Sequence, residues 1–212
     1  MKVIIFGATG MIGSGVLTEC LEDGRVGAVL VIGRRSCGRT HPQLGELIRS
    51  DLVDYSKVKA ELQGYDACFF CLGVSAAGMT EAAYRRVTYD LTIAAAGSLA
   101  GLNSHLTFCY FSGQGTDSTE RGRFMWARVK GATENRLLAM PMSAYMFRAG
   151  FIQPLKGAQS RTGLYRLFYV LTAPFFPVLR RVFPRHVTTT VRGSGDDSRC
   201  AQWLLEAHPR NA

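Results

Sequence analysis

The chain opens on an apolar run, Lys2 to Phe6, that stops at Gly7. A run this short, with no polar alternation and a glycine behind it, predicts a strand buried on both faces, as in a parallel sheet. The period then changes, and Met11 to Leu21 predicts a helix. The same signature returns at Ala28 to Ile32 and at Ala67 to Leu72, each run closed by glycine. Between them lie a weaker strand at Glu46 to Arg49 and a short helix at Tyr55 to Leu62. Further along, Thr80 to Ala100 reads as a long helix with Thr80 as its N-cap. A fifth strand is expected at Leu106 to Phe111, a helix at Arg123 to Ala139 and a sixth strand at Ala144 to Phe147. Past Gln153 the pattern changes: Ser160 to Val187 is apolar, aromatic and basic, and a last short helix is expected at Asp196 to Glu206.

Strands alternating with helices require βαβ crossovers. The fold class is therefore α/β, a Rossmann-type doubly wound parallel sheet with helices on both faces. Residues 1–155 are expected to form this domain. Residues 156–212 would be a small C-terminal extension, closing the cleft and packed on the same domain. The length of 212 residues suits one such domain.

The punctuation after the first strand carries the chemistry. It reads GATGMIG, residues 7–13, between a buried strand and a helix. Gly7 allows the tight turn, Gly10 leaves room for a pyrophosphate against the backbone, and Gly13 lets helix pack closely on strand. The helix N-terminus then offers free N–H groups and a positive dipole end to phosphate. At the end of the second strand an NAD site usually places Asp or Glu for the ribose 2′-OH. Here the residues are Gly33-Arg34-Arg35. Two guanidinium groups without a carboxylate favour a 2′-phosphate, so NADP(H) is the expected cofactor and NAD(H) the second choice.

Composition alters this picture little. The formal net charge of +9 calls for an anionic partner or cofactor. The arginines lie in scattered short clusters without zinc-finger or RNA-recognition spacing, so nucleic acid is not expected. Six cysteines spread through the chain fit reduced thiols in a cytoplasmic protein. Cys68 and Cys71 form a CxxC, but three residues apart on a strand they point to opposite faces, which argues against a metal or redox pair. No metal site is expected. Lys2 before an apolar run resembles the start of a signal peptide but lacks a cleavage site.

Taken in order, GATGMIG, Arg34-Arg35, FCLG at 70–73, YFSG at 110–113, a helix carrying Lys130 and FRAGFIQP at 147–154 resemble the atypical short-chain dehydrogenases/reductases. Within that class the likeness is to Tat-interacting-protein-like oxidoreductases and bacterial epimerase-like proteins. The resemblance implies that Gly7, Thr9, Gly10, Met11, Ile12 and Gly13 wrap the pyrophosphate. It implies that Arg34 and Arg35 hold the adenosine phosphate and adenine face, that Asp51 and Leu52 border the adenine, and that Leu72 and Gly73 line the adenosine ribose. Ser112 would sit beside the nicotinamide and Lys130 would bind its ribose hydroxyls, the two being the catalytic candidates. Gly150, Phe151 and Ile152 would take the carboxamide by backbone contacts, although the usual Pro-Gly is Ala149-Gly150 here.

One departure matters. The class uses a tyrosine four residues before the lysine, one helical turn away, as its acid and base. This chain has Trp126, whose indole N–H donates a hydrogen bond but is no reversible acid near neutral pH. Three readings stay open. A substitute acid comes from Tyr84, Tyr110, Asp117, Tyr145 or Tyr165; water or substrate supplies the proton; or hydride transfer is lost and the protein is a non-catalytic NADP(H)-binding regulator. The leading expectation is an oxidoreductase for a carbonyl or sugar-like small molecule, as monomer or homodimer. Leu164 to Val187 is read first as a helix packed on the sheet edge or a dimer contact, then as a substrate wall, then as a weak contact with an anionic membrane surface.

Overall fold

A computed structural model describes residues 1–148 and, beyond them, the strands at 151–153 and 187–189. The strands are β1 (Lys2–Phe6), β2 (Ala28–Gly33), β3 (Leu44–Ile48), β4 (Ala67–Phe70), β5 (Thr107–Phe111) and β6 (Ser143–Phe147). They form one parallel sheet in the order β3-β2-β1-β4-β5-β6. The order reverses between β1 and β4, and a doubly wound sheet opens its ligand crevice at that point, beyond the carboxyl ends of the strands. β7 (Phe151–Gln153) and β8 (Val187–Thr189) pair in parallel as a separate ribbon that the sequence pattern did not suggest.

Period-two alternation within the strands divides the core into two layers. Val3, Ile5, Val29, Val31 and Phe69 face α1 (Met11–Glu22), which contributes Leu17 and Cys20. Ile4, Phe6, Ile32, Phe70 and Phe108 face the other way, toward Ala95, Ala96 and Leu99 of α3 (Leu91–Leu102) and Leu137 of α4 (Met125–Leu138). Phe6, Phe70 and Phe108 form a row of rings across three neighbouring strands, with centroids 5.1 and 5.9 Å apart. Cys68 lies in one layer and Cys71 borders the other, so the CxxC does not converge.

Several boundaries differ from expectation. The third strand starts at Leu44, because the pairing of Leu44 with Val29 sets its register. The helix expected at 55–62 is two 3₁₀ turns, Ser56–Val58 and Ala60–Leu62, ended by Gly64 at φ +76°. Thr80 does cap α2 (Glu81–Arg85), accepting from the Ala83 N–H at 3.3 Å. The helix continues from α2 into α3 through one π turn, Arg86–Asp90, packed against α4. The helix expected at 196–206 and the whole segment at 160–186 lie outside the described residues.

Candidate functional site

All six strands of the sheet run the same way, so the residues that follow them gather at one edge. Gly7 follows β1, Arg34 follows β2, Leu72 and Gly73 follow β4, Ser112 follows β5 and Arg148 follows β6.

The glycine turn is built for close approach. Gly7 has φ +77°, and a Cβ on it would lie 2.8 Å from the backbone of Cys71 and Leu72 at the end of β4. A Cβ on Gly13 would lie 2.2 Å from the Gly7 carbonyl oxygen, and one on Gly10 would lie 3.2 Å from the same atom. The Gly10 N–H donates to the Gly7 carbonyl at 2.9 Å and closes the turn. Gly10 then caps α1 with no side-chain hydrogen bond, and the first turn carries no acidic residue. The first N–H groups of a helix have no intrahelical partner, and here no side chain covers them. Thr9, Gly10, Met11 and Ile12 are all partly exposed around this opening. A cradle that added side-chain atoms would fill, facing an uncapped helix N-terminus, fits a dinucleotide pyrophosphate.

Arg34 and Arg35 stand exposed in the loop after β2. The loop is folded around Glu46 of β3: Ser36 Oγ donates to Oε2 at 2.8 Å and the Cys37 N–H to Oε1 at 2.6 Å. The Cys37 N–H, more than any other group, holds the Glu46 carboxyl below its ordinary value. The carboxylate that shapes this loop thus comes from the neighbouring strand. Asp51 closes a turn, accepting from the Val53 N–H at 2.7 Å, while Leu52 is buried in the core.

The far half of the edge holds a buried polar cluster. Ser112 is 3% exposed, and its hydroxyl donates to Glu134 Oε1 at 2.5 Å. The Ser112 carbonyl accepts from the ammonium of Lys130. Arg148 pairs with Glu134, with Nη2 2.5 Å from Oε2 and Nε 3.1 Å from Oε1. Burial pushes the Lys130 ammonium below its ordinary pKa, and the charge on Glu134 pulls it the other way. Trp126 sits one turn before Lys130, its ring against the loop after β5: a Cβ on Gly115, which has φ +86°, would lie 3.2 Å from the indole.

Among the possible substitute acids, Tyr84 and Tyr110 are 2% and 1% exposed, and burial raises the pKa of both phenols. Asp117 is engaged in its own loop, accepting from Thr119 Oγ1 at 2.6 Å and the Gly122 N–H at 2.6 Å. Tyr145 packs on the α1 side of the sheet. Tyr165 and Gly150 lie outside the described residues, and Phe151 and Ile152 lie on β7.

Residues 3–116, more than half of the chain, match the family described as NAD dependent epimerase/dehydratase. The chain belongs to that family. HTATIP2 of Rattus norvegicus is 27% identical over 155 residues, covering 71% of this chain and 62% of the relative. Leucinostatins biosynthesis cluster protein T of Purpureocillium lilacinum is 28% identical over 143 residues, covering 66% of this chain and 52% of the relative. The chain thus spans about half to six-tenths of the length of these curated relatives. Bordetella bronchiseptica WbmH, solved in complex with NAD+, superposes with TM-score 0.65 at 17% identity, covering 97% of this chain and 71% of that one. The reductase domain of PhqB from Penicillium fellutanum superposes with TM-score 0.67 at 17% identity, covering 99% and 65%. These likenesses place the chain on the short-chain dehydrogenase/reductase fold.

Within this epimerase/dehydratase-type domain, sequence reasoning passed over Glu134 and Arg148. Glu134 stands four residues after Lys130, hence on the same helix face, and that spacing was the available signal. It reads as a solvated helix carboxylate until the fold brings Ser112 and Arg148 to it. Among the described residues no helix is long and apolar enough to cross a membrane, and no group of His, Cys, Asp or Glu could hold a metal ion.

Proposed function

We propose that the chain binds NADP(H) at the carboxyl edge of its sheet and is an oxidoreductase acting on a small carbonyl or sugar-like substrate. The observation that carries this reading is the three-glycine cradle below the uncapped N-terminus of α1. It agrees with a family whose description is NAD-dependent and with a neighbour, WbmH, crystallised with NAD+. In this reading Gly7, Thr9, Gly10, Met11, Ile12 and Gly13 hold the pyrophosphate through backbone N–H groups. Arg34 and Arg35 grip the 2′-phosphate, since neither makes a hydrogen bond or ion pair among the described residues and no carboxylate occupies their place. Asp51, Leu52, Leu72 and Gly73 border the adenosine. Lys130 donates to the nicotinamide ribose, and Gly150, Phe151 and Ile152 meet the carboxamide. Bound NADPH would supply hydride to a substrate carbon.

The protein's own residues then face the question of the proton. A hydroxyl can donate one proton, and that of Ser112 goes to Glu134. To orient a carbonyl oxygen, Ser112 would have to release Glu134. Trp126 offers no titrating proton, which favours a second reading: a non-catalytic NADP(H)-binding protein whose partner surface responds to cofactor occupancy. Two measurements decide. Calorimetry should show NADPH binding tighter than NADH, and loss of NADPH absorbance should follow addition of one of a panel of aldehydes, ketones and nucleotide sugars. NADPH binding without turnover on the whole panel selects the regulator, and indifference to both nucleotides removes both readings.

A further inference from the structure

We infer that Glu134 is a positioning residue for the nicotinamide half of the proposed site, holding the Ser112 hydroxyl and setting a buried negative charge one helical turn from the Lys130 ammonium. The inference rests on the NADP(H) reading and deepens it.

Glu134 is 2% exposed, and a buried carboxylate persists only when paired and hydrogen-bonded. Here it has both. Arg148 reaches it from the end of β6 through Nε and Nη2, and Ser112 reaches it from the end of β5. Ser112 works as a hinge: its hydroxyl donates to Glu134 on one side and its carbonyl accepts from Lys130 on the other. Lys130 and Glu134 belong to adjacent turns of one face of α4, so the helix itself sets their spacing.

One buried carboxylate thus has an ion-pair partner, Arg148, and a second cation, Lys130, one helical turn away on the Ser112 carbonyl. Arg148 satisfies it directly, which leaves the Lys130 ammonium as surplus positive charge at the end of β5. That is where a donor to ribose hydroxyls is needed. Desolvation works against that charge, and Glu134 is the charged group that opposes it. The other groups around the cluster do not replace it. Arg148 from β6 repels the ammonium, and Tyr110 from β5 is buried with its phenol pushed further toward the neutral form. A purely structural ion pair would stabilise the fold and leave the pH profile of NADPH binding parallel to that of wild type. A positioning residue changes it.

Glu134→Gln keeps the shape and an acceptor for Ser112 while removing the charge. NADPH affinity of the full chain would be measured against pH. E134Q should match wild type at low pH and, as pH rises, lose about tenfold or more in affinity at a lower pH than wild type does. The Lys130 side chain would be followed in parallel by NMR of apo protein labelled at lysine, assigned with Lys130→Arg against Lys2, Lys57, Lys59 and Lys156. Its midpoint should drop in E134Q, because the charge that opposes desolvation is gone. Parallel pH profiles and an unmoved midpoint, even with a lowered Tm, would overturn the inference. If E134Q does not fold, Glu134→Asp, which draws the carboxylate back from Ser112 and Lys130, should lower the Lys130 midpoint in the same direction by less; no shift there counts against it equally. A wild-type protein that binds neither nucleotide sinks the cofactor reading, while the NMR titration still decides what Glu134 does to Lys130.

Discussion

Gly7 and Gly13 stand so close that no side chain could separate them: a Cβ on Gly13 would lie 2.2 Å from the Gly7 carbonyl oxygen and 3.0 Å from the Cα of Ala8. Gly10, between them, has only a 3.2 Å contact with the same carbonyl. The two positions therefore separate folding from binding. Gly13→Ala forces α1 away from β1 and should cost about 3 kcal/mol or more, with nucleotide binding lost alongside. Gly10→Ala should cost much less stability than Gly13→Ala and still lose NADPH, because its methyl would enter the space proposed for the pyrophosphate. Thermal melts with and without NADPH check both. A Gly10→Ala protein that binds normally would remove the cradle argument.

In the proposed reading, Arg34 carries the choice of cofactor. Hydrogen bonds to an ionised phosphate contribute about 1.5–3 kcal/mol each, so Arg34→Ala should weaken NADPH by about tenfold or more. NADH, which has no 2′-phosphate, should lose little. Titration calorimetry with both nucleotides measures the ratio. Equal weakening would mean that the arginine serves the shared parts of the cofactor, and the NADP(H) preference would fall.

The close-packed glycine turn was legible in the sequence for a physical reason: its geometry depends on its own backbone and on the strand and helix that flank it in the chain. The strands at 2–6, 28–33, 67–70 and 107–111 were legible too, because burial on both faces leaves continuous apolar runs. Glu134 and Arg148 act only as a pair brought together by tertiary structure, and a glutamate on a helix with mixed polarity looks solvated from sequence alone. The π turn at Arg86–Asp90 left no trace either. Thr88 in that turn and Thr92 just after it in α3 are both buried, and Thr92 Oγ1 donates to the Thr88 carbonyl at 2.5 Å, a contact that their four-residue spacing alone does not distinguish from ordinary helix.

Ser112 now has a prediction unlike that of a carbonyl-orienting serine. Its hydroxyl serves Glu134, and its carbonyl, which anchors Lys130, is untouched by truncation of the side chain. Ser112→Ala should lower stability by about 1.5–3 kcal/mol, the range for a hydrogen bond to a charged group, and leave NADPH affinity within about threefold. Denaturant melts and nucleotide titration give the two numbers. Unchanged stability combined with abolished turnover would show that the hydroxyl faces substrate.

Trp126 poses the sharpest choice between enzyme and regulator. Its ring rests against Gly115, whose φ of +86° and missing Cβ leave room for the indole, so loop and side chain are fitted to one another. Restoring a phenol by Trp126→Tyr replaces that contact with a smaller ring and supplies a titrating proton one turn before Lys130. A lysine held charged by Glu134 would stabilise the phenolate, which is the direction needed for an acid working near neutral pH. If the rest of the site is arranged for hydride transfer, Trp126→Tyr should gain turnover on the carbonyl panel by about tenfold or more, within the usual range for one general acid. NADPH affinity should stay within about threefold, since the substituted ring is not among the groups proposed to hold the cofactor. A variant that binds NADPH normally and turns nothing over would mean that the missing tyrosine is only one of several losses. That outcome would favour a protein that holds the nucleotide as a signal rather than as a reductant.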